Sequence, residues 1–169
     1  IFSSEKQADP GRTTIATGVV VERLPTRFTC ASLPVSPRLP AALLSVMTRA
    51  DLVHLHEPYP LATLWLAVLP QARKLVITWH ADVVGYRQLK PLVLQLQHRV
   101  AARANAILST SNTMLQGSPF LRQHAARTRV VPFMIDLSPY DAIRALPERI
   151  ATTRRQWGGR YILACGRLV

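Results

Sequence analysis

Four clusters of polar residues in this chain could do chemistry, and each follows an apolar run. They are His54-Leu55-His56-Glu57-Pro58, His80-Ala81-Asp82, Ser109-Thr110-Ser111-Asn112, and Asp136 after the run that starts at Arg129. Imidazoles and carboxylates supply proton transfer, charge stabilisation or metal ligation. His54 and His56 are two residues apart and so share one face of a strand. His54, inside the strand, reads as a satisfied core histidine; His56, beyond it, reads as facing a crevice. His80 reads as the closing residue of a strand-to-loop turn or as a functional group, and the neighbouring Asp82 favours function. Ser111 reads as a helix N-cap that can also line a site. Asp136 reads as the cap of the next helix.

These groups become a site only if the fold brings them to one rim. The stretch Leu75-Val76-Ile77-Thr78-Trp79 is apolar and rich in β-branched residues, and polar residues follow at once. That is the pattern of a buried parallel strand ending at a crevice, where open α/β sheets bind ligands. The same pattern predicts strands over Val19–Leu24, Leu52–Leu55, Lys74–Trp79, Ala106–Ser109, Arg129–Phe133 and Tyr161–Cys165. Helices are predicted over Pro40–Arg49, with Leu43, Leu44 and Met47 inward, and over Leu61–Leu69. A third runs over Lys90–Ala104, with the stripe Leu89, Leu92, Leu96 and Val100 inward and His98, Arg99 and Arg103 outward. Shorter ones follow from Ser111 to Gly117 and over 139–144 and 147–156. Strands alternating with helices imply right-handed βαβ units, hence an α/β fold: a Rossmann-like parallel sheet with helices on both faces. Residues 1–18, with the turn Asp9-Pro10-Gly11, read as a frayed remnant, and residues 25–38, with three prolines, as a loop. Gly158-Gly159 reads as a boundary, so that 1–157 is one domain and 158–169 opens a second.

Length and composition agree with one packed domain. The chain has 169 residues, 49% of them hydrophobic, which argues against disorder. No run approaches the ~18 apolar residues of a membrane span. The start, Ile1-Phe2-Ser3-Ser4, does not read as a signal peptide, and both ends read as cuts from a longer protein. Cys30 and Cys165 have no CxxC spacing, and reduced thiols are expected, with no metal site. The net charge is +12, from eighteen arginines and three lysines against nine acids. Such a charge favours an anionic partner, or reflects composition alone, since the basic residues are scattered. The motifs GxGxxG, GxxxxGK[ST], GxSxG and HExxH are absent, so dinucleotide, P-loop, α/β-hydrolase and zincin sites are unsupported. A nucleic-acid partner is not expected, because no recognition helix or interleaved aromatics accompany the charge.

Beyond this the chain resembles a known family. Asp51-Leu52-Val53-His54-Leu55-His56 is similar to the DxVHxH strand of retaining GT-B glycosyltransferases of family 4, and Thr78-Trp79-His80-Ala81-Asp82 to their TWHSD-like strand. Ala104 to Ser111, Ser118-Pro119-Phe120-Leu121, Val130-Val131-Pro132 through Ile135-Asp136, and Tyr161 to Val169 resemble the ADAIIATS, SPFL, VIPxGID and LFVGRLV segments, in order. Phe133-Met134 departs from the usual Asn-Gly. The glycine-rich loop after the family's first strand would lie upstream of Ile1, and its lysine and paired-glutamate motif beyond Val169.

The resemblance implies a truncated N-terminal domain of a GT-B fold. That domain holds the acceptor, and the C-terminal domain holds the nucleotide-sugar donor. His80 would lie against the donor sugar as the catalytic residue. Gly166 and Arg167 would bind the donor diphosphate, a task suited to a guanidinium. His56, Glu57, Asp82 and Ser111 would line the acceptor side. No metal or other cofactor is implied, and anomeric configuration would be retained. A glycan or lipid-linked acceptor, an anionic membrane surface under Arg87, Lys90, Arg99 and Arg103, and a cytoplasmic, inner-membrane location are further expectations. By itself the piece is expected to be inactive. Two rivals remain: a metal-dependent hydrolase using His56, His80 and Asp82, and a non-catalytic anion-binding module resting on the charge.

Overall fold

The computed structural model describes residues 2–3, 11–15, 18–30, 33–83, 88–138 and 147–158. The chain forms two compact units, 1–132 and 133–169. The first unit opens with a small sheet. β1 (Phe2–Ser3) runs parallel to β3 (Val19–Arg23), which pairs antiparallel with β2 (Gly11–Ile15). The segment before Val19, expected to be a remnant, therefore contributes two strands. Gly18, at φ +83°, supplies the left-handed residue just before β3. The 25–38 loop likewise contains a hairpin, β4 (Phe28–Cys30) with β5 (Leu33–Val35).

The main sheet is parallel, in the order β6 (Val53–Glu57), β7 (Leu75–Trp79), β8 (Ala106–Ser109), β9 (Thr128–Val130). Each strand pairs with the next in sequence, so right-handed crossovers place successive helices on the same side. The core confirms that packing. Val53, Leu55, Leu75, Ile77, Trp79 and Ile107 from one sheet face cluster with buried residues of α1 (Leu39–Arg49), α2 (Pro60–Val68), α3 (Lys90–Arg103) and α5 (Pro119–Gln123). α4 (Asn112–Gly117) and a 3-10 turn (Ala125–Arg127) complete the β8-to-β9 connection. The fold is α/β, with a Rossmann-like parallel sheet flanked by helices.

Two predicted helix faces are rotated. In α1 the buried residues are Leu39, Leu43 and Met47, a clean i, i+4, i+8 row, while Leu44 is exposed. In α3 the buried residues are Gln97, Val100 and Ala101. Leu89 and Leu92 are 56% and 53% exposed, because the first turns of α3 line a surface groove. Arg103 does not point outward. Its guanidinium donates to the carbonyls of Leu66 (2.8 Å) and Leu69 (3.3 Å) at the C-terminal end of α2. Arg127 does the same at the end of α3, bonding the carbonyls of Ala102 and Ala104. Cations suit helix C-termini, so part of the basic composition is structural. No helix among the described residues is long and apolar enough to cross a membrane.

In the second unit, α6 (Pro147–Trp157) is exposed along its length. The carboxylate of Asp136 accepts the main-chain N–H of Ser138, itself in helical conformation, at 2.9 Å. β9 ends at Val130, short of the predicted Phe133. The helix expected over 139–144, the strand Tyr161–Cys165, Gly166 and Arg167 lie outside the described residues.

Candidate functional site

β6 is one of two neighbouring strands whose ends carry the histidines. It continues through Glu57, so His56 lies inside the strand rather than past it. Alternation then divides its residues: Val53, Leu55 and Glu57 point into the core, and His54 and His56 point to the opposite, exposed face. His54 is therefore not a core histidine. Its register partner is Val76, and its Nε2 meets the Thr78 hydroxyl at 2.7 Å on the diagonal. His80 follows β7 directly, and its N–H donates to the Glu57 carbonyl at 2.9 Å. That bond extends the β6–β7 ladder by one step and sets the His80 ring over His56.

The two rings are stacked, with centroids 5.1 Å apart, and His56 Nδ1 lies 2.8 Å from His80 Nε2. One nitrogen donates and the other accepts, so the pair cannot be fully protonated without breaking this bond. The His54 ring lies 4.5 Å from that of His56, the two planes tilted by 33°. Burial lowers the His56 pKa below its ordinary value, and the charge of His80 lowers it further; burial and His56 act in the same way on His54.

Asp82 is held by two donors on one oxygen. Trp79 Nε1–H bonds Oδ1 at 2.9 Å and the Ser118 hydroxyl bonds it at 2.6 Å. Ser118 also caps α5 by accepting the Leu121 N–H, and Ser111 caps α4 by accepting the Met114 N–H at 3.1 Å. Asp82, Ser111, Thr113, Met114, Gly117 and Ser118 wall an open depression of about 390 Å³. The structure thus brings together His56 with His80, and Asp82 with Ser111.

Glu57 is not on that rim. It is 1% exposed and faces the helices, because consecutive strand residues point to opposite faces. Its acceptor-side placement is corrected to the core. Burial raises its carboxyl pKa, against the lowering effect of its hydrogen bonds with Thr63, Tyr59 and Gln97. Among the described residues no three His, Cys, Asp or Glu side chains are placed to hold a metal ion.

A second histidine pair was not legible in the sequence. His98 Nδ1 and His124 Nε2 are 2.9 Å apart, and both rings lie 4.8 Å from Phe120. Phe120 in turn stacks on Trp79 at 3.9 Å. The partners come from α3 and from the residue after α5, 26 positions apart, and no spacing rule connects them.

Unfolded imidazoles titrate near 6.5 and those of folded His54 and His56 lower, so the unfolded chain takes up protons first. The stability these histidines contribute is full above about pH 7.5 and is lost as pH falls through 6.5 toward their folded values. Glu57 acts oppositely: its contribution is full below 4.5 and is lost as pH rises through its raised folded value. The difference in urea midpoint between the native chain and His56→Asn should shrink from pH 7.5 to pH 5.5. A constant difference would contradict the assignment.

Comparisons with known proteins agree on a family. Residues 1–134 match the family described as a glycosyl transferase 4-like domain. The chain is similar to the O-antigen chain mannosyltransferase C of Escherichia coli, 29% identical over 140 residues, which are 82% of this chain and 37% of that protein. It is also similar to the D-rhamnosyltransferase WbpZ of Pseudomonas aeruginosa, 28% identical over 117 residues, 69% of this chain and 30% of that protein. The match thus spans about a third of the length of these curated relatives. No solved structure matches the chain.

Proposed function

Because this chain belongs to the glycosyl transferase 4-like family, we propose that it supplies the acceptor-side domain of an enzyme that moves a sugar from a nucleotide-sugar donor to a glycan or lipid-linked acceptor. In that reaction the bond from the anomeric carbon to the diphosphate breaks, a bond to the acceptor oxygen forms, the acceptor hydroxyl gives its proton to the departing phosphate, and the nucleoside diphosphate leaves. The observation that carries the reading is the His56–His80 pair at the carboxyl ends of neighbouring parallel strands, where such sheets bind ligands.

In the proposal His80 is the catalytic residue, set against the donor sugar to stabilise charge as the bond to the diphosphate breaks. His56, Asp82 and Ser111 form the acceptor rim. Gly166 and Arg167 bind the diphosphate, where a guanidinium takes phosphate oxygens two at a time. Retention of anomeric configuration belongs to the same reading. The donor sugar is taken to have the manno configuration, since one relative is named for mannose and the other for D-rhamnose, which is 6-deoxymannose. The test is turnover by the gene product expressed with its flanking coding sequence, against a panel of nucleotide sugars. Turnover of manno-configured donors above gluco- and galacto-configured ones is expected. Turnover of none, with a glycan acceptor extract present, would overturn the reading.

A lipid-linked acceptor is supported by an apolar groove of about 220 Å³ between the β4–β5 hairpin and α2 and α3, lined by Leu33, Val35, Leu61, Leu64 and Leu96. Exposed Leu89 and Leu92 line it as well, and Lys90, next in the chain to Leu89, is also exposed. Of the four basic residues expected there, Lys90 and Arg99 are exposed, Arg103 is engaged with α2 and Arg87 lies outside the described residues, so Leu89, Leu92, Lys90 and Arg99 form the proposed contact with an anionic membrane at the inner face. Vesicles of phosphatidylglycerol at low salt should carry the protein up a density gradient, and the double variant Leu89→Ser/Leu92→Ser should remain at the bottom. Equal flotation of both would refute the contact.

A further inference from the structure

We propose that Glu57 is a positioning residue that carries its proton at neutral pH, and that as a neutral acid it locks the β6–α2 turn on which the His56–His80 pair is built. The first support is a count of hydrogens. The Thr63 hydroxyl faces two acceptors, Glu57 Oε1 and the Tyr59 carbonyl at 2.9 Å, and has one proton to give. With Glu57 ionised, the single hydroxyl proton serves one of these two acceptors, and the other contact is oxygen against oxygen with no hydrogen between. With the proton on Oε1, Glu57 donates to Thr63 and Thr63 donates to Tyr59, and both contacts are bonds. Oε2 remains an acceptor for the Tyr59 N–H at 2.8 Å and for the Gln97 amide at 3.3 Å.

The second support is the surroundings. Glu57, Thr63 and Gln97 are each 1% exposed or less. Among the described residues, the groups that reach the carboxyl from α2, from α3 and from the turn are a hydroxyl, an amide and a main-chain N–H, and none is charged. Among the described residues the ion pair is Arg73 with Asp51, on the surface. A carboxylate taken out of water without a counter-charge is strongly disfavoured, and protonation is the ordinary escape. Gln97 keeps its amide on Glu57 even though its own Oε1 is left buried with no partner.

The third support is what the anchor holds. The side chain of Glu57 is pinned from inside the core, while its carbonyl takes the N–H of His80 and the preceding residue carries the ring that stacks on His80. Displacing Glu57 therefore moves both histidines together. This rests, for its bearing on catalysis, on the proposed role of His80; the protonation state and the geometry do not.

The experiment is carbon NMR on the intact protein labelled at glutamate carboxyl carbons, with the Glu57 signal assigned by its loss in Glu57→Gln. The signal should stay at the protonated position at pH 7. A Glu57 signal that titrates near 4.5 with the other glutamates would overturn the proposal. Positioning is read separately from the ring nitrogens of His56 and His80. Their hydrogen-bonded signature should be lost in Glu57→Ala and restored in Glu57→Gln, which can donate to Thr63 and accept from Tyr59 as the neutral acid does. If Glu57→Ala fails to fold, Thr63→Val removes the same bond and should disturb the same signals. A signature unchanged in the folded variant would also overturn the proposal. In turnover, Glu57→Ala should lose about 100-fold in kcat, since a shift near 1 Å costs that much, and Glu57→Gln should recover it. Loss of the ring signature without loss of turnover would leave the anchor intact and refute the catalytic role of the pair instead.

Discussion

Replacing His80 by alanine should lower kcat by about 100- to 10,000-fold, the range found when a charge-stabilising or proton-transferring group is removed. KM for the donor should change far less, because in the proposed role the ring acts on a charge that develops during the reaction. The fold should survive. His80 is half-buried, lies past the end of β7, and its main-chain N–H still bonds Glu57 in the variant. His56→Ala should cost less, since it removes the partner and leaves the acting ring. The measurement is steady-state transfer with matched melting curves. An unchanged kcat in His80→Ala would take His80 out of the reaction and leave the pair a structural contact.

Trp79→Ala should have the largest effect on stability. The side chain is 1% exposed, stacks on Phe120, and donates its N–H to Asp82. Truncating a buried aromatic to alanine costs about 3–5 kcal/mol. A typical domain has about 5–15 kcal/mol in all. The urea midpoint should fall by a large fraction, with the slope unchanged. Trp79→Phe isolates the polar part. It keeps a ring against Phe120 and leaves Asp82 with Ser118 as its donor, so it should cost about 1–2 kcal/mol. If Trp79→Ala left the midpoint unmoved, Trp79 would not be the keystone between β7 and α5.

The site was partly legible because it follows simple periodicities. Apolar runs ending in polar residues marked β6, β7 and β8, and their parallel order placed His56, His80, Asp82 and Ser111 at strand ends. Ser111 was readable as a cap because an N-cap depends on residues only three apart. Glu57 was misplaced for a local reason: once β6 extends one residue pair farther, alternation turns its side chain inward. The α3 stripe was misread because Leu89 and Leu92 have the right spacing for a core face, yet the hairpin beneath them forms a groove rather than a packed layer. β2 and the β4–β5 hairpin were missed because their residues are mostly exposed and carry no apolar alternation.

The amino-acid sequence by itself determined the parallel α/β order, the positions of the main strands, the short helix caps and the family, because these rest on local periodicity and on ordered motifs. Only the tertiary structure decided which histidines touch, which arginines close helix ends, and that Glu57 is an internal anchor. Those outcomes depend on which residues 20 to 40 positions apart are brought within hydrogen-bonding distance, as in His56 with His80, Arg103 with Leu66 and Gln97 with Glu57. Packing sets those distances, and no local pattern encodes them.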